Sequence, residues 1–387
     1  MKFRPEIEIL IASSCVNPDA DIQGKLRKLS VQGIDWDLLI IGSMNHKVMP
    51  LVYSNLKTYC SDLVPADVLE RFRVSYLGNM VHNISLSDEL CRVLDLFKVN
   101  GIPALTFKGP VLSEMAYGDM SCRMSSDLDI LVSVHDAIRA RDLLIEKGYL
   151  GDIDLTDIQT KLYVENENYF NLNKKELSVD LHWEMSGKYT LQPLHFGAFE
   201  MDLESISFQG CEVPSLCPEA LIVYLSIHSS KHCWNHLEDL ACMSSILRSH
   251  PSLNSEKMIS VAKGFRSLRI FLTGLYLCSE LFDVGVSDEI GNLVRNDKAV
   301  KRIGDLVIGN LFNDVPMPTE QGINWRFSLI HFRIRDNWFD AAHYALRLLF
   351  RPTIKEWLYF PLPAPLTFIH YLLRPFRLAT EYFKASK

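Results

Sequence analysis

The stretch Arg123-Met124-Ser125-Ser126-Asp127-Leu128-Asp129-Ile130-Leu131-Val132 constrains the fold more tightly than any other part of the chain. Two carboxylates flank one apolar residue in a run that otherwise reads as a buried strand. Side chains alternate across a strand, so Asp127 and Asp129 share one face while Leu128 points into a core. Two carboxylates a few ångströms apart repel, and one holds a proton unless a cation sits between them. Mg²⁺ with oxygen ligands is the simplest resolution, and Mg²⁺ held by carboxylates usually also binds substrate phosphates. The stretch thus points to metal-dependent phosphoryl or nucleotidyl chemistry. An Asp-rich strand end on a solvated sheet edge is the plain alternative.

A second strand offers Ser178-Val179-Asp180-Leu181-His182-Trp183, where Asp180 and His182 face one way and Val179 and Leu181 the other. Beside the first strand, Asp180 becomes a third carboxylate on the shared face, able to act as general base or to bridge a metal. Alone, it reads as an incidental acid on an exposed hairpin. Lys108-Gly109 sits at a strand-to-helix turn, where backbone N–H groups favour an anion and glycine allows close approach. Arg123 stands where it can neutralise a phosphate, and Ser126 can assist through its hydroxyl.

Around these strands the chain reads as helix, sheet, helix. Leu86, Leu90, Val93, Leu94 and Phe97 recur at helical steps, and Asn100-Gly101-Ile102-Pro103 stops that helix. Short strands are expected at 104–107, 168–172 and 177–183, the last two joined by a turn at Asn173-Lys174-Lys175. Helices are expected from Val111 to Tyr117 and from His135 to Lys147. This order implies an α+β fold, a small mixed sheet with helices packed on one side. Long helices return over Ala220 to Leu247 and Ser255 to Leu281. The expected divisions are a helical region at 1–100, the sheet at 101–215, a helical region at 216–320 and a basic aromatic segment at 321–387.

At 387 residues, 48% apolar and 22% charged, the chain is an ordinary globular protein of two or three domains. No membrane span or signal peptide is expected, and nine irregularly spaced cysteines fit reduced thiols in the cytoplasm. The net charge of −7 hides an asymmetry. From Gly322 onward ten Lys or Arg face four acids, leaving that tail near +6 and the rest near −13. The acidic remainder argues against general nucleic-acid binding. The basic aromatic tail, Trp357 to Phe360 and Ile369 to Leu378, leaves peripheral contact with an anionic membrane surface open. Its alternative is packing on the N-terminal helices with arginines reaching outward.

His228, His232 and His236 fall four residues apart, with Cys233 and Cys242 near, and one helix would align them on a face. Zinc is the sharper reading. A helix lining a cleft, with His228 and His232 as polar contacts and Asp239 bracing it, is the one preferred.

Leu105-Thr106-Phe107-Lys108-Gly109, Tyr117, Arg123, Ser126 to Val132 and Val179 to Trp183 together resemble the uncharacterised nucleotidyltransferase family of the polymerase-β-like superfamily. Ile34-Asp35-Trp36, Gly101-Ile102-Pro103, and His228…Lys231-His232…Leu237-Glu238-Asp239 are similar to that family too. The resemblance implies a nucleotidyltransferase palm flanked by N- and C-terminal helical regions, with metal ligands at Asp127, Asp129 and Asp180. It also implies an NTP donor such as ATP, two Mg²⁺ ions with Mn²⁺ as an alternative, and an acceptor among small molecules, polysaccharides, peptides or proteins. Where the superfamily usually has Gly-Ser, this chain has Lys108-Gly109-Pro110, which leaves a catalytically degenerate nucleotide-binding protein or scaffold as the alternative.

Overall fold

The computed structural model describes residues 3–187, 190–312, 325–353 and 368–385, with 356, 362 and 366 besides. Four short helices, α1 (Pro5–Ala12), α2 (Ala20–Ser30), α3 (Trp36–Asn45) and α4 (Met49–Tyr59), lead the chain. Asp19 and Asp35 cap α2 and α3, accepting the Ile22 and Leu38 N–H groups at 2.9 and 3.0 Å. The apolar stripe through Leu86 and Phe97 is the back half of α5 (Ala66–Val99), a helix of 34 residues. Gly101 turns the chain at φ +66, a value glycine adopts without strain.

The palm runs β1 (Ala104–Thr106), α6 (Gly109–Tyr117), β2 (Leu128–Val132), α7 (Ala137–Glu146), β3 (Leu150–Gly151), α8 (Asp157–Asn166), β4 (Tyr169–Lys174) and β5 (Leu177–His182). Its strands lie in the order β1-β2-β5-β4-β3. Strand β2 pairs antiparallel to β1 and parallel to β5, so the sheet is mixed. Leu128, Ile130 and Val132 share an apolar core with Val179 and Leu181, covered by Leu90 and Phe97 of α5 and Ala140 and Leu144 of α7. The opposite face is not bare. Phe107 meets Tyr224 of α9 (Pro218–Lys231) edge-on at 5.1 Å, so helices cover part of both faces rather than one.

Four features were not expected, the first of them helix α8 between β3 and β4. Strand β3 adds a two-residue edge, and β6 (Leu203–Phe208) with β7 (Cys211–Leu216) forms a separate hairpin. The β4–β5 turn is shorter than the sequence suggests. Asn173 and Lys174 continue the ladder opposite Ser178 and Leu177, and the chain reverses at Lys175, φ +56.

Beyond the palm, α9 is followed by α10 (Leu237–Ser249), α11 (Ser255–Gly264), α12 (Leu268–Phe282), α13 (Asp288–Asn296) and α14 (Lys298–Leu311). The two long helices read from the sequence are therefore four. Cys233 and Trp234 take left-handed φ values of 52° and 51°, and the Trp234 N–H donates to Ser229 O at 2.9 Å. Arg266 does the same at φ 51°. The first break carries neither glycine nor proline, and burial of Trp234 at 1% exposure is the gain that offsets the strained turn; the second follows Gly264, the last residue of α11. One apolar core joins Leu26, Val52 and Phe72 of the N-terminal helices to Leu221, Phe271 and Ile303 of the later ones.

The chain ends in α15 (Trp325–Arg333), α16 (Trp338–Phe350) and α17 (Ile369–Ala385). Residues 357–361 of the basic aromatic tail lie outside the described residues. In the rest the arginines do not all reach outward. Arg374 is buried, bonds the Leu348 carbonyl at 3.0 Å and pairs with Glu356. No described helix is long and apolar enough to cross a membrane.

Candidate active site

Parallel pairing of β2 with β5 puts Asp129 in register with Asp180 and Leu128 with Val179. Both acids therefore lie on the face away from α5 and α7. Asp129 is 6% exposed, and its Oδ1 lies 3.0 Å from His182 Nε2 while its Oδ2 lies 3.8 Å from Lys108 Nζ. Asp180 Oδ1 accepts from Asn171 Nδ2 at 2.7 Å. One potential ligand atom each of Asp129, Asp180 and His182 lies within 4.8 Å of the others. Asp127 stands beside this cluster, facing Asp129, Lys108 and Arg123 and bonded to the exposed Ser126 hydroxyl. His182 thus joins the tight grouping and Asp127 flanks it. The two-residue step from Asp180 to His182 was the available signal.

The charges divide unequally. Burial works against an ionised Asp129, but Lys108, His182 and Arg123 outweigh it and hold the carboxyl well below its usual range. Burial is the main cause that raises Asp180 to about 6, against the pull of His182 and Asn171. Asp127 is also raised, by burial and then by Asp129. Asp129, Asp180 and His182 form a grouping that could hold a metal ion, and two of the three acids gathered there are reluctant to ionise. His182 is fixed between rings, stacked on Tyr169 at 5.0 Å and edge-on to Phe107 at 5.5 Å. Its buried Nδ1 has no hydrogen-bond partner.

Lys108 ends the first strand segment in extended backbone, and Gly109 opens α6 at φ +62 with Pro110 behind it. A Cβ on Gly109 would lie 3.4 Å from the Asp127 carbonyl oxygen. Glycine is therefore what lets the start of α6 approach the acids.

Arg123 faces acids rather than open space. Its Nη2 lies 3.2 Å from Glu238 Oε2 and 3.9 Å from Asp239 Oδ1, both on α10. Burial opposes the guanidinium charge, but Glu238 leads the neighbours that overcome it and hold it firmly protonated. Burial also lifts Glu238 to about 7, against the pull of Arg123. Helix α5 sets this loop from behind: Asn83 Nδ2 donates to the Met120 and Arg123 carbonyls at 2.9 and 2.8 Å, and Asn79 Nδ2 donates to Ser121 and Arg123 at 2.9 and 3.1 Å. Asn79 and Asn83 lie one turn apart, a spacing that reads from sequence only as polar residues in a long helix.

The three histidines do not share one helix face. His228 lies on α9, His232 is its C-terminal cap, and His236 precedes α10, its Nδ1 2.8 Å from the Asn45 carbonyl oxygen. His228 stacks near Tyr224 at 5.9 Å, and its Nε2 lies 4.0 Å from Asp239 Oδ2. Asp239 also accepts from Ser229 Oγ at 2.9 Å, so it does brace this wall. Among the described residues, the grouping with metal-ligand geometry is the Asp129 cluster and not these imidazoles. Lys231 also adjoins the site, though its sequence context alone does not mark it. Its Nζ donates to the Met185 carbonyl at 3.1 Å, and burial, aided by Lys108, brings it down to about 7.

A mixed sheet carrying paired aspartates on adjacent strands, with a glycine-led helix start beside them, belongs to the nucleotidyltransferase class. The description of an uncharacterised nucleotidyltransferase matches residues 32–283, from the entry to α3 through α12, and the chain belongs to that family. No curated protein matches the sequence. Among solved structures, the solution structure of the antibiotic-resistance factor ANT(2″)-Ia is similar at 14% identity and a TM-score of 0.33, over 48% of this chain and 93% of that one. The crystal structure of ANT(2″)-Ia with adenylyl-2″-tobramycin gives 13%, 0.32, 47% and 98%. An antigenic nucleotidyltransferase-like protein from Paracoccidioides brasiliensis gives 11%, 0.30, 53% and 93%.

Proposed function

We propose that this nucleotidyltransferase moves an NMP group from an NTP to an acceptor hydroxyl, phosphate or protein side chain, using Mg²⁺ and releasing pyrophosphate. The observation that carries the reading is the register of Asp129 with Asp180, with His182 beside them. The donor set fits a divalent metal: carboxylates suit Mg²⁺ or Mn²⁺, and His182, bonded through Nε2 to Asp129 Oδ1, holds that carboxylate in place. Asp127, Asp129 and Asp180 would hold it. When bound, such an ion lowers the pKa of an attacking hydroxyl and offsets charge on the phosphates.

The chain's own residues would do the following. The start of α6 at Gly109 and the Lys108 ammonium receive the phosphates, with Ser126 at their side. Asp180 takes the proton of the acceptor hydroxyl as its oxygen bonds to the α-phosphorus. The bond from that phosphorus to the bridging oxygen breaks, and pyrophosphate departs. Arg123 acts at one remove, tying the loop before β2 to Glu238 and Asp239. We place the enzyme in the cytoplasm, in keeping with nine free cysteines. The acceptor belongs to one of the classes named above and is chosen by the helical walls.

One observation favours a second reading. Lys108 and His182 already engage both oxygens of Asp129, as they would in a scaffold that binds nucleotide without turnover. Thermal melts with ATP, GTP, CTP and UTP, each with and without Mg²⁺, followed by transfer of an α-labelled NMP, separate the two. A metal-dependent shift with label transfer supports the enzyme. A shift with no transfer to any acceptor class supports the scaffold, and no shift at all removes both.

A further inference from the structure

The strand order divides the active face of the palm. Lys108 and Gly109 follow β1, on one side of β2, while Asp180 stands on β5, on the other side, with β4 and β3 beyond it. In phosphoryl transfer the attacking and leaving oxygens lie roughly in line across the phosphorus. With the phosphates at the start of α6, the acceptor oxygen reaches Asp180 from the β4 side.

That half of the face presents Tyr169, Asn171 and Asn173 from β4 and Ser178 from β5, since Phe170, Leu172, Val179 and Leu181 turn to the core under α5 and α7. All four are only partly buried, and Asp152 at the sheet edge is exposed. Their polar groups form a continuous ladder. Asn171 Nδ2 donates to Asp180 Oδ1 at 2.7 Å and to Ser178 Oγ at 3.1 Å. Asn173 Nδ2 donates to Asn171 Oδ1 at 2.6 Å and to Asp152 Oδ1 at 2.7 Å. Ser178 accepts in this ladder, and among the described residues nothing takes its hydroxyl hydrogen. Stacking on His182 at 5.0 Å holds the Tyr169 ring at the head of the ladder.

The charge of this shelf is one-sided. The charges that bear most on the Tyr169 hydroxyl are Asp180, Glu167, Asp152 and Asp127, all acids. Lys174, the cation that ends β4, faces the other way, 3.2 Å from Glu89 on α5. A phosphate or acidic acceptor would meet like charge here, with no strand cation to offset it. An aromatic ring beside hydroxyl and amide groups instead suits a molecule with apolar C–H faces and several hydroxyls.

We propose that the acceptor is a carbohydrate without negative charge, bound across Tyr169, Asn171, Ser178 and Asn173. The inference rests on the nucleotidyl transfer proposed above and narrows its acceptor to a sugar hydroxyl. That oxygen bonds to the α-phosphorus, its proton passes to Asp180, and the bond to the bridging oxygen breaks as pyrophosphate leaves. The Tyr169 ring packs on a C–H face of the sugar, and Ser178 and Asn173 set which hydroxyl is presented.

The test pairs binding with transfer. Saturation-transfer NMR of the full chain with glucose, N-acetylglucosamine, lactose and maltotriose reads the shelf without nucleotide. The four α-labelled NTPs with Mg²⁺ then read transfer to those sugars, to glucose 6-phosphate and to a serine peptide. Sugar binding, and label on an uncharged sugar, are expected. Tyr169→Leu and Ser178→Ala should each raise the KM for that sugar about five- to tenfold, with the KM for nucleotide and the melting temperature unchanged. No saturation transfer to any of the sugars, or wild-type sugar affinity in both variants, overturns the proposal. Label on glucose 6-phosphate or the peptide but on no uncharged sugar also overturns it and leaves nucleotidyl transfer standing. Sugar binding that the variants lose, with no label on any acceptor, counts for the sugar site and against the transfer reading.

Discussion

His182 Nε2 lies 3.0 Å from Asp129 Oδ1, and Asp129 stands in register with Asp180 across a parallel strand pair. Three polar side chains from two strands are thereby held on one pleated face, each fixed by backbone pairing rather than by a loop. Such placement tolerates loss of a charge better than loss of the backbone. Asp129→Asn and Asp180→Asn should each lower nucleotidyl transfer about a hundredfold or more, with circular dichroism unchanged. Pyrophosphate release measured on both variants checks this. Wild-type turnover in either would remove that residue from the chemistry.

Gly109 carries a separate expectation. At φ +62 an alanine would add about 1 kcal/mol of backbone strain, and its Cβ would press the Asp127 carbonyl. The melting temperature should fall by about 2 °C, and nucleotide should no longer stabilise the variant as it does wild type. A Gly109→Ala protein with an undiminished nucleotide shift would show that the start of α6 does not approach the phosphates.

His46 makes stability depend on pH. It is 3% exposed, with Phe312 at 5.3 Å, and burial, aided by nearby His236, lowers it from 6.5 to about 4. Between those values the unfolded chain takes up a proton that the folded one refuses. Stability should therefore fall as pH drops from about 6.5 to 4, by roughly 3 kcal/mol in full, with no contribution above that window. Urea unfolding of wild type and His46→Leu across this range should show the variant's relative stability rising towards low pH. A constant offset would mean that His46 does not titrate there.

What the sequence revealed follows period and type. Alternation in Asp127 to Val132 and in Val179 to His182 identified two strands and the shared face, because β-structure repeats every two residues whatever surrounds it. That the two strands lie side by side is an expectation from those faces, while their parallel direction and register could not be derived, since these depend on contacts with α5 and α7. The turn at Cys233 and Trp234 left no mark, as ordinary residues hold left-handed backbone there, and the one at Arg266 left only Gly264 before it. Helical periodicity runs through both breaks, and it aligns His236 with His228 and His232, whose rings stay 5.8 Å apart while His236 turns away to the start of α10. Asn79 and Asn83 were silent for another reason: their partners are backbone carbonyls some forty residues away.

Arg123 yields the prediction that best separates bracing from phosphate binding. Its guanidinium stands between two acids of α10, and its carbonyl is held by two asparagines of α5. Arg123→Met would leave Glu238 and Asp239 facing each other in a buried place without their cation. Breaking such a pair from one side costs about 3 to 5 kcal/mol, so denaturant unfolding should show a large loss. Adding Glu238→Gln removes one of the two stranded acids and should restore a substantial part of it, a coupling that a double-mutant cycle measures. An arginine that served mainly to bind phosphate would behave differently. Arg123→Met would then melt like wild type and raise the KM for nucleotide, and Glu238→Gln would rescue nothing.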